Sequence, residues 1–235
     1  MRVAESAVTR KDHYTVGERD QQSDLFLVSA ILENPCRRTA TNVRFVVSAL
    51  DDQGHELMSV GGPVQAHLTS SLIMPGQRAA SWTYFDRRQA PDGVPSVRVQ
   101  PDPGPFGGGV CWIDPSTSGY QTVSRATDVT VGKRDNSRTL LNGRADVSFT
   151  VTWTPAESSP GRRGASVIFR DSSGRLLDVN GQGIGPDLKR GQRVRFTAWV
   201  PKDADPARTD VLLDPDPVSP GLPVYSPSSS CLPGS

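Results

Sequence analysis

The apolar positions of this chain fall in short stretches with a period of two, the alternation expected of a strand packed on one face and wet on the other. In Val147-Ser-Phe-Thr-Val-Thr-Trp153 the odd positions are apolar and the even ones hydroxylated. Val194, Phe196, Ala198 and Val200 repeat the pattern. The same alternation places Trp199 outward, unless another part of the chain covers it. Further strands are predicted over 25–33, 43–50, 79–85 and 96–100. Between them, Asp52-Gln-Gly54 and Ser172-Ser-Gly174 read as hairpin turns, where Gly takes the positive φ that a tight connection needs. Pro75-Gly76 and Arg190-Gly191 read as equivalent later turns.

The stretches recur. Thr15-Val-Gly-Glu-Arg-Asp20 returns as Thr130-Val-Gly-Lys-Arg-Asp135, five of six positions identical at an offset of 115. In the same order, Asp51-Asp-Gln-Gly54 answers Asp171-Ser-Ser-Gly174, Gly76-Gln-Arg78 answers Gly191-Gln-Arg193, and Pro101-Asp-Pro103 answers Pro215-Asp-Pro217. The offsets stay between 114 and 120, as small loop insertions between duplicated units would produce. With 22 Gly, 20 Pro and 35% hydrophobic residues, helix is disfavoured. The expected fold is all-β: two tandem immunoglobulin-like antiparallel β-sandwiches. They span 1–113 and 120–235, the second ending in a Pro/Ser-rich tail.

Val47-Ser-Ala-Leu-Asp51-Asp-Gln-Gly54 and Val167-Ile-Phe-Arg-Asp171-Ser-Ser-Gly174 keep an apolar residue at the first position and Asp before a Gly turn. In this they resemble the FxLYD domain, a bacterial surface sandwich, though without the Phe and Tyr of that family's name. Glu33-Asn-Pro35 is similar to that family's connection from second to third strand; the second unit reads Thr154-Pro155 there. The resemblance implies an extracytoplasmic, non-enzymatic module that spaces or displays other parts, and it brings no catalytic residues with it.

A net charge of +1 supplies no field to gather nucleic acid, so no nucleic-acid partner is expected. No stretch approaches the roughly 20 apolar residues that span a bilayer. Met1 before a strand-like segment points to a chain trimmed of a signal or anchor. No nucleophile elbow, phosphate loop or HExxH segment occurs, so no enzyme and no cofactor is expected. Asp178-Val-Asn-Gly-Gln-Gly183 copies half of a calcium loop, but the closing position is Lys189, with Asp187 the nearest substitute, so a Gly-rich loop is the expected reading. His13, His55 and His67 lack the spacing of a zinc site. Arg37-Arg38 and Arg162-Arg163 fall in matching loops, joined by Arg87-Arg88 in a later one. Paired guanidinium groups of this kind can grip carboxylate or phosphate bidentately, and with Trp199 they are the candidate contacts to an anion or partner.

Three cysteines, at 36, 111 and 231, permit one disulfide. Cys111 and Cys231 each follow a Pro-rich stretch after the last strand of their unit. A bond from Cys231 to Cys111, or to Cys36, would close a loop nominally worth about 4–5 kcal/mol and would require an oxidising compartment. Cys111–Cys231 is the expected pair. The reading is therefore a non-enzymatic extracellular or cell-surface bacterial module that binds a protein or cell-envelope polymer, or acts as a spacer. The competing readings are a component of a larger assembly, marked by Trp82, Trp112 or Trp199, and an enzyme accessory with a site between the units lined by residues 104–112.

Overall fold

The computed structural model describes residues 1–16, 19–102, 110–113, 123–135, 142–154, 163–184 and 189–213. It is all-β and antiparallel, with one short 3-10 turn at Pro206–Arg208. The strands are β1 (Arg2–Val16), β2 (Arg19–Glu33), β3 (Thr39–Leu50), β4 (Met58–Ser59), β5 (Gly62–Pro63), β6 (Gln65–Ile73), β7 (Arg78–Asp86), β8 (Ser96–Pro101) and β9 (Cys111–Ile113). They continue as β10 (Val123–Val131), β11 (Asn142–Thr154), β12 (Arg163–Arg170), β13 (Leu176–Ile184), β14 (Arg193–Pro201) and β15 (Asp210–Leu213).

Sheets β1-β2-β7 and β6-β3-β8, the latter with β9 on β3, are built from the N-terminal half alone. Sheets β10-β11-β14 and β13-β12-β15 are built from the C-terminal half alone. Each pair of sheets closes on its own core. In the first half Val28, Ala30 and Leu32 of β2 meet Val43, Phe45 and Val47 of β3, with Leu68 and Phe85. In the second Val147, Phe149 and Val151 of β11 meet Val167 and Phe169 of β12, with Ala198 and Val200. Phe149 and Phe196 touch edge to face, ring centroids 6.0 Å apart.

Local chemistry repeats in detail. The carboxylates of Asp51 and Asp171 each accept two backbone N–H groups of their own turn, from Gln53 and His55 and from Ser173 and Arg175. Each turn closes on a glycine with positive φ, Gly54 at 82° and Gly174 at 91°. At the later corner Gly76 and Gln77 bracket Asn34, and Gly191 and Gln192 bracket Val151 by the same two backbone bonds. The stretch between these two landmarks is longer in the first half, which there carries the β4–β5 hairpin. Asn34, fully buried, donates to the carbonyls of Arg38 and Ile73 and accepts from the Cys36 amide, holding the turn between β2 and β3.

The calcium-like stretch is not a loop. Asp178 to Gly183 lies within β13, and Asp178 is buried against a lysine. Trp199 is also a correction. It pairs with Arg144, on the opposite side of β14 from the core residues Ala198 and Val200, yet it is only 3% exposed. The Arg144 guanidinium lies over its ring, 5.7 Å from the centroid.

Candidate functional site

The two halves meet where the edge strand β13 is laid on the outward side of sheet β1-β2-β7. On that side the cross-strand pairs are Thr9 with Leu27, Ala7 with Ser29, Ser29 with Trp82 and Ile31 with Ala80. Ile31 packs with Ile168, Leu176 and Val179 of the second half, and Ala4, Ala7, Ala80 and Leu212 close the rim of this cluster. An edge strand exposes unpaired N–H and C=O groups, which must find partners when covered. Here hydroxyls from the opposite half supply them. Ser29 Oγ accepts the Val179 N–H at 2.9 Å, and Thr9 Oγ1 donates to the Leu177 carbonyl.

Charge completes the junction. Lys11 Nζ pairs with Asp178 Oδ2, the two side chains 4% and 0% exposed, and Ser29 Oγ donates to Asp178 Oδ1 at 3.4 Å. Loss of water pushes the Asp178 carboxyl above the ordinary value, against the pull of the Lys11 ammonium. Nearby, Arg170 forks onto both oxygens of Glu5, with Nη2 2.9 Å from Oε1, and Arg78 approaches the same carboxylate at 3.6 Å. The Arg170 hydrogen bond holds Glu5 below the usual carboxylate range.

Two grooves lie along the junction, one toward each end of β13. One, of about 360 Å³, runs between Thr9 and Val97 on one wall and Arg175 and Leu177 on the other. The other, of about 430 Å³, has Thr69, Ser70, Ser81 and Trp82 of the first half facing residues 164–166 of β12 and 181–183 of β13 in the second. Its described lining holds no ionisable side chain. Its described hydroxyls and amide can hydrogen-bond, and the Trp82 indole can stack.

The sequence-based candidates are scattered. Arg37, Arg38, Arg87 and Arg88 are exposed on loops away from both grooves. Arg88 is engaged locally by a fork onto Asp86 at 3.0 and 3.2 Å. Arg162 and the side chain of Arg163 lie outside the described residues, so the matching pair in the second half does too. Trp112 packs against the first core and lines neither of the two grooves, and most of 104–112 lies outside the described residues. Trp82 is 45% exposed at the groove. Cys36 is a free, exposed thiol. The Cys111 side chain and Cys231 lie outside the described residues, and among the described residues there is no disulfide.

Sequence reasoning missed the residues that join the halves. Two signals were present: a lone Ser29 inside the apolar run 25–32, and Lys11, one of only four lysines, inside a strand. Among the described residues no cluster of His, Cys, Asp and Glu could hold a metal ion, and no helix is long and apolar enough to cross a membrane. Neither a family model nor a curated protein matches the chain.

Proposed function

We propose that this chain is a non-enzymatic binding or spacing module of a secreted or cell-surface bacterial protein, its two halves being tandem immunoglobulin-like units held in a fixed mutual orientation. The carrying observation is the junction itself: a desolvated Lys11–Asp178 pair, a forked Glu5–Arg170 pair and two hydroxyls that satisfy the β13 edge. Such groups hold only when both partners are placed within a few tenths of an ångström, so the junction specifies one geometry and resists hinge motion. A spacer needs that stiffness. A groove whose described lining carries no ionisable side chain fits recognition of a neutral partner better than turnover.

Residual dipolar couplings test the reading. Amides of the two halves should fit one alignment tensor, and two independent tensors would overturn a rigid module. Exported origin has its own test in intact mass with alkylation before reduction. One alkylated thiol, at Cys36, is expected with Cys111 bonded to Cys231; three alkylated thiols would remove the oxidising compartment from the reading.

A further inference from the structure

We propose that the corner leading into β14, with the adjoining side of sheet β10-β11-β14 that faces away from its core, binds a linear polyanion without bases: a polyol chain linked by phosphodiesters. The proposal goes beyond the rigid-module reading and uses neither groove. Lys189-Arg-Gly-Gln-Arg-Val-Arg195 carries four cations in seven residues, and all four are exposed. A basic run of this density is the footprint of a polyanion contact. The matching run of the first half, Met74-Pro-Gly-Gln-Arg-Ala-Ala80, keeps one of the four, Arg78. The duplicated corner therefore does not need the other three to fold. At the position of Arg195 the first half has Ala80, packed at the rim of the junction.

The backbone beneath these cations is fixed. The Lys189 N–H donates to Gln192 Oε1 at 2.8 Å and the Gln192 N–H to the Lys189 carbonyl at 2.9 Å, while Gly191 and Gln192 are tied to Val151. Arg193 and Arg195 follow on one side of β14, two residues and so roughly 7 Å apart. Ser148 and Thr150 of β11 pair with them, Thr127 of β10 pairs with Thr150, and Arg125 lies one row further on the same side. Among the described residues the carboxylates on this part of the sheet are Asp146, shared by Arg195 and Thr197, and Asp128, which accepts from Thr127. Five cations thus face two carboxylates, and Arg193 is bonded to a neutral hydroxyl, that of Thr130, at 2.8 Å.

The surroundings narrow the occupant. Guanidinium groups fork onto phosphate oxygens, and the Ser and Thr hydroxyls between them can serve a polyol. Charges two strand residues apart match phosphates separated by a three-carbon linker. Single-stranded nucleic acid is held by stacking its bases on aromatic rings, and the aromatic residue described on this side, Trp199, is covered. An anionic bilayer would be gripped by apolar groups as well. The exposed large hydrophobics among the described residues, Met58, Val60, Trp82 and Tyr84, all belong to the first half.

The test is fluorescence anisotropy of the full chain with a labelled oligo(glycerol phosphate) at low salt. Binding should saturate, and the logarithm of the affinity should fall with the logarithm of salt by roughly 0.7 for each phosphate engaged. Changing Lys189, Arg190, Arg193 and Arg195 together to Gln should weaken binding roughly thirtyfold and flatten that slope. Changing Arg37, Arg38, Arg87 and Arg88 to Gln alters the net charge equally in the first half and should stay within about twofold. Should the first variant not fold, Lys189→Gln with Arg190→Gln, confined to an exposed turn, should still weaken binding about fivefold with the melting temperature unchanged. Failure to saturate at low salt, equal losses from the two four-residue variants, or tighter binding of an equally charged oligothymidylate or of phosphatidylglycerol vesicles would overturn the site. One alignment tensor without polymer binding would remove this site alone and leave the rigid module standing.

Discussion

Sheets β1-β2-β7 and β10-β11-β14 hold the same place in their halves, each ending in a strand that starts from a Gly-Gln-Arg corner, but their outward sides have opposite fates. On β2 that side carries Leu25, Leu27, Ser29 and Ile31, all buried. On β11 it carries Arg144, Asp146, Ser148 and Thr150, flanked by Arg193, Arg195 and Thr197 of β14, with the covered Trp199 at one end. One side is roofed by β13; the other forms lateral bonds along its own surface, Arg195 and Thr197 both to Asp146 and Arg193 to Thr130. The difference shows what a covering body does to a strand's pattern. With both faces buried, β2 loses its alternation and reads as a continuous apolar run. β11 keeps it.

The largest effect should come from breaking the covered side at its buried charge. Lys11→Met leaves Asp178 without its cation in a dry site and should cost about 3–5 kcal/mol in denaturant unfolding. Adding Asp178→Asn removes the orphaned charge and should recover most of the loss, because a buried pair is worth far less than the penalty for splitting it. Equal costs for the single and double variants would mean that the two groups are not coupled.

A smaller effect belongs to the rim of the same junction. Glu5→Gln removes the fork onto Arg170 and should cost about 1–2 kcal/mol at neutral pH. Because Glu5 has a lower pKa folded than unfolded, its stabilisation is present above the unfolded value, near 4.3, and is lost as pH falls through the folded one. Asp178 acts in the opposite sense. Its folded pKa is raised, so its burial penalty applies above that pKa and is relieved by acid. Thermal melts from pH 6 to pH 3 should therefore show the native chain losing more stability than Glu5→Gln. Parallel curves would detach Glu5 from the acid response.

Much of the fold was legible because most strands have one buried face. The alternation at 147–153 and 194–200 and the Asp-to-Gly turns all lie where the pattern put them. The most exact repeat was less informative than the looser ones. Val16 pairs with Arg19 at the end of the β1–β2 hairpin, whereas Gly132 and Asp135, in the matching hexapeptide, bond instead to Asp146 and Arg144 across from β10. The junction was largely illegible. Its residues touch partners about 150 or more positions away, and nothing local distinguishes an alternating Lys11 that is solvated from one that is buried. Asp178 drew attention for its oxygen and its spacing to Gly183, but the group it serves is an ammonium on β1. Trp199 points to the side that alternation assigned and is covered there, because alternation reports which way a ring points and says nothing of what lies over it.

The smallest effect is expected on the open side of β10-β11-β14. Arg195→Ala deletes an ion pair whose guanidinium is 71% exposed, where solvent and salt already screen the attraction. The melting temperature should move by no more than about 2 °C, and the difference should disappear at about 1 M salt. The prediction is useful because it is small. If the open side were roofed in solution as β2 is, by a second copy of the chain, Arg195 would sit in a dry junction and its loss would rival that of Glu5. Melts at two protein concentrations separate the cases: a concentration-independent, salt-sensitive shift means that the side is bare, and a large concentration-dependent one means that it has found its own β13.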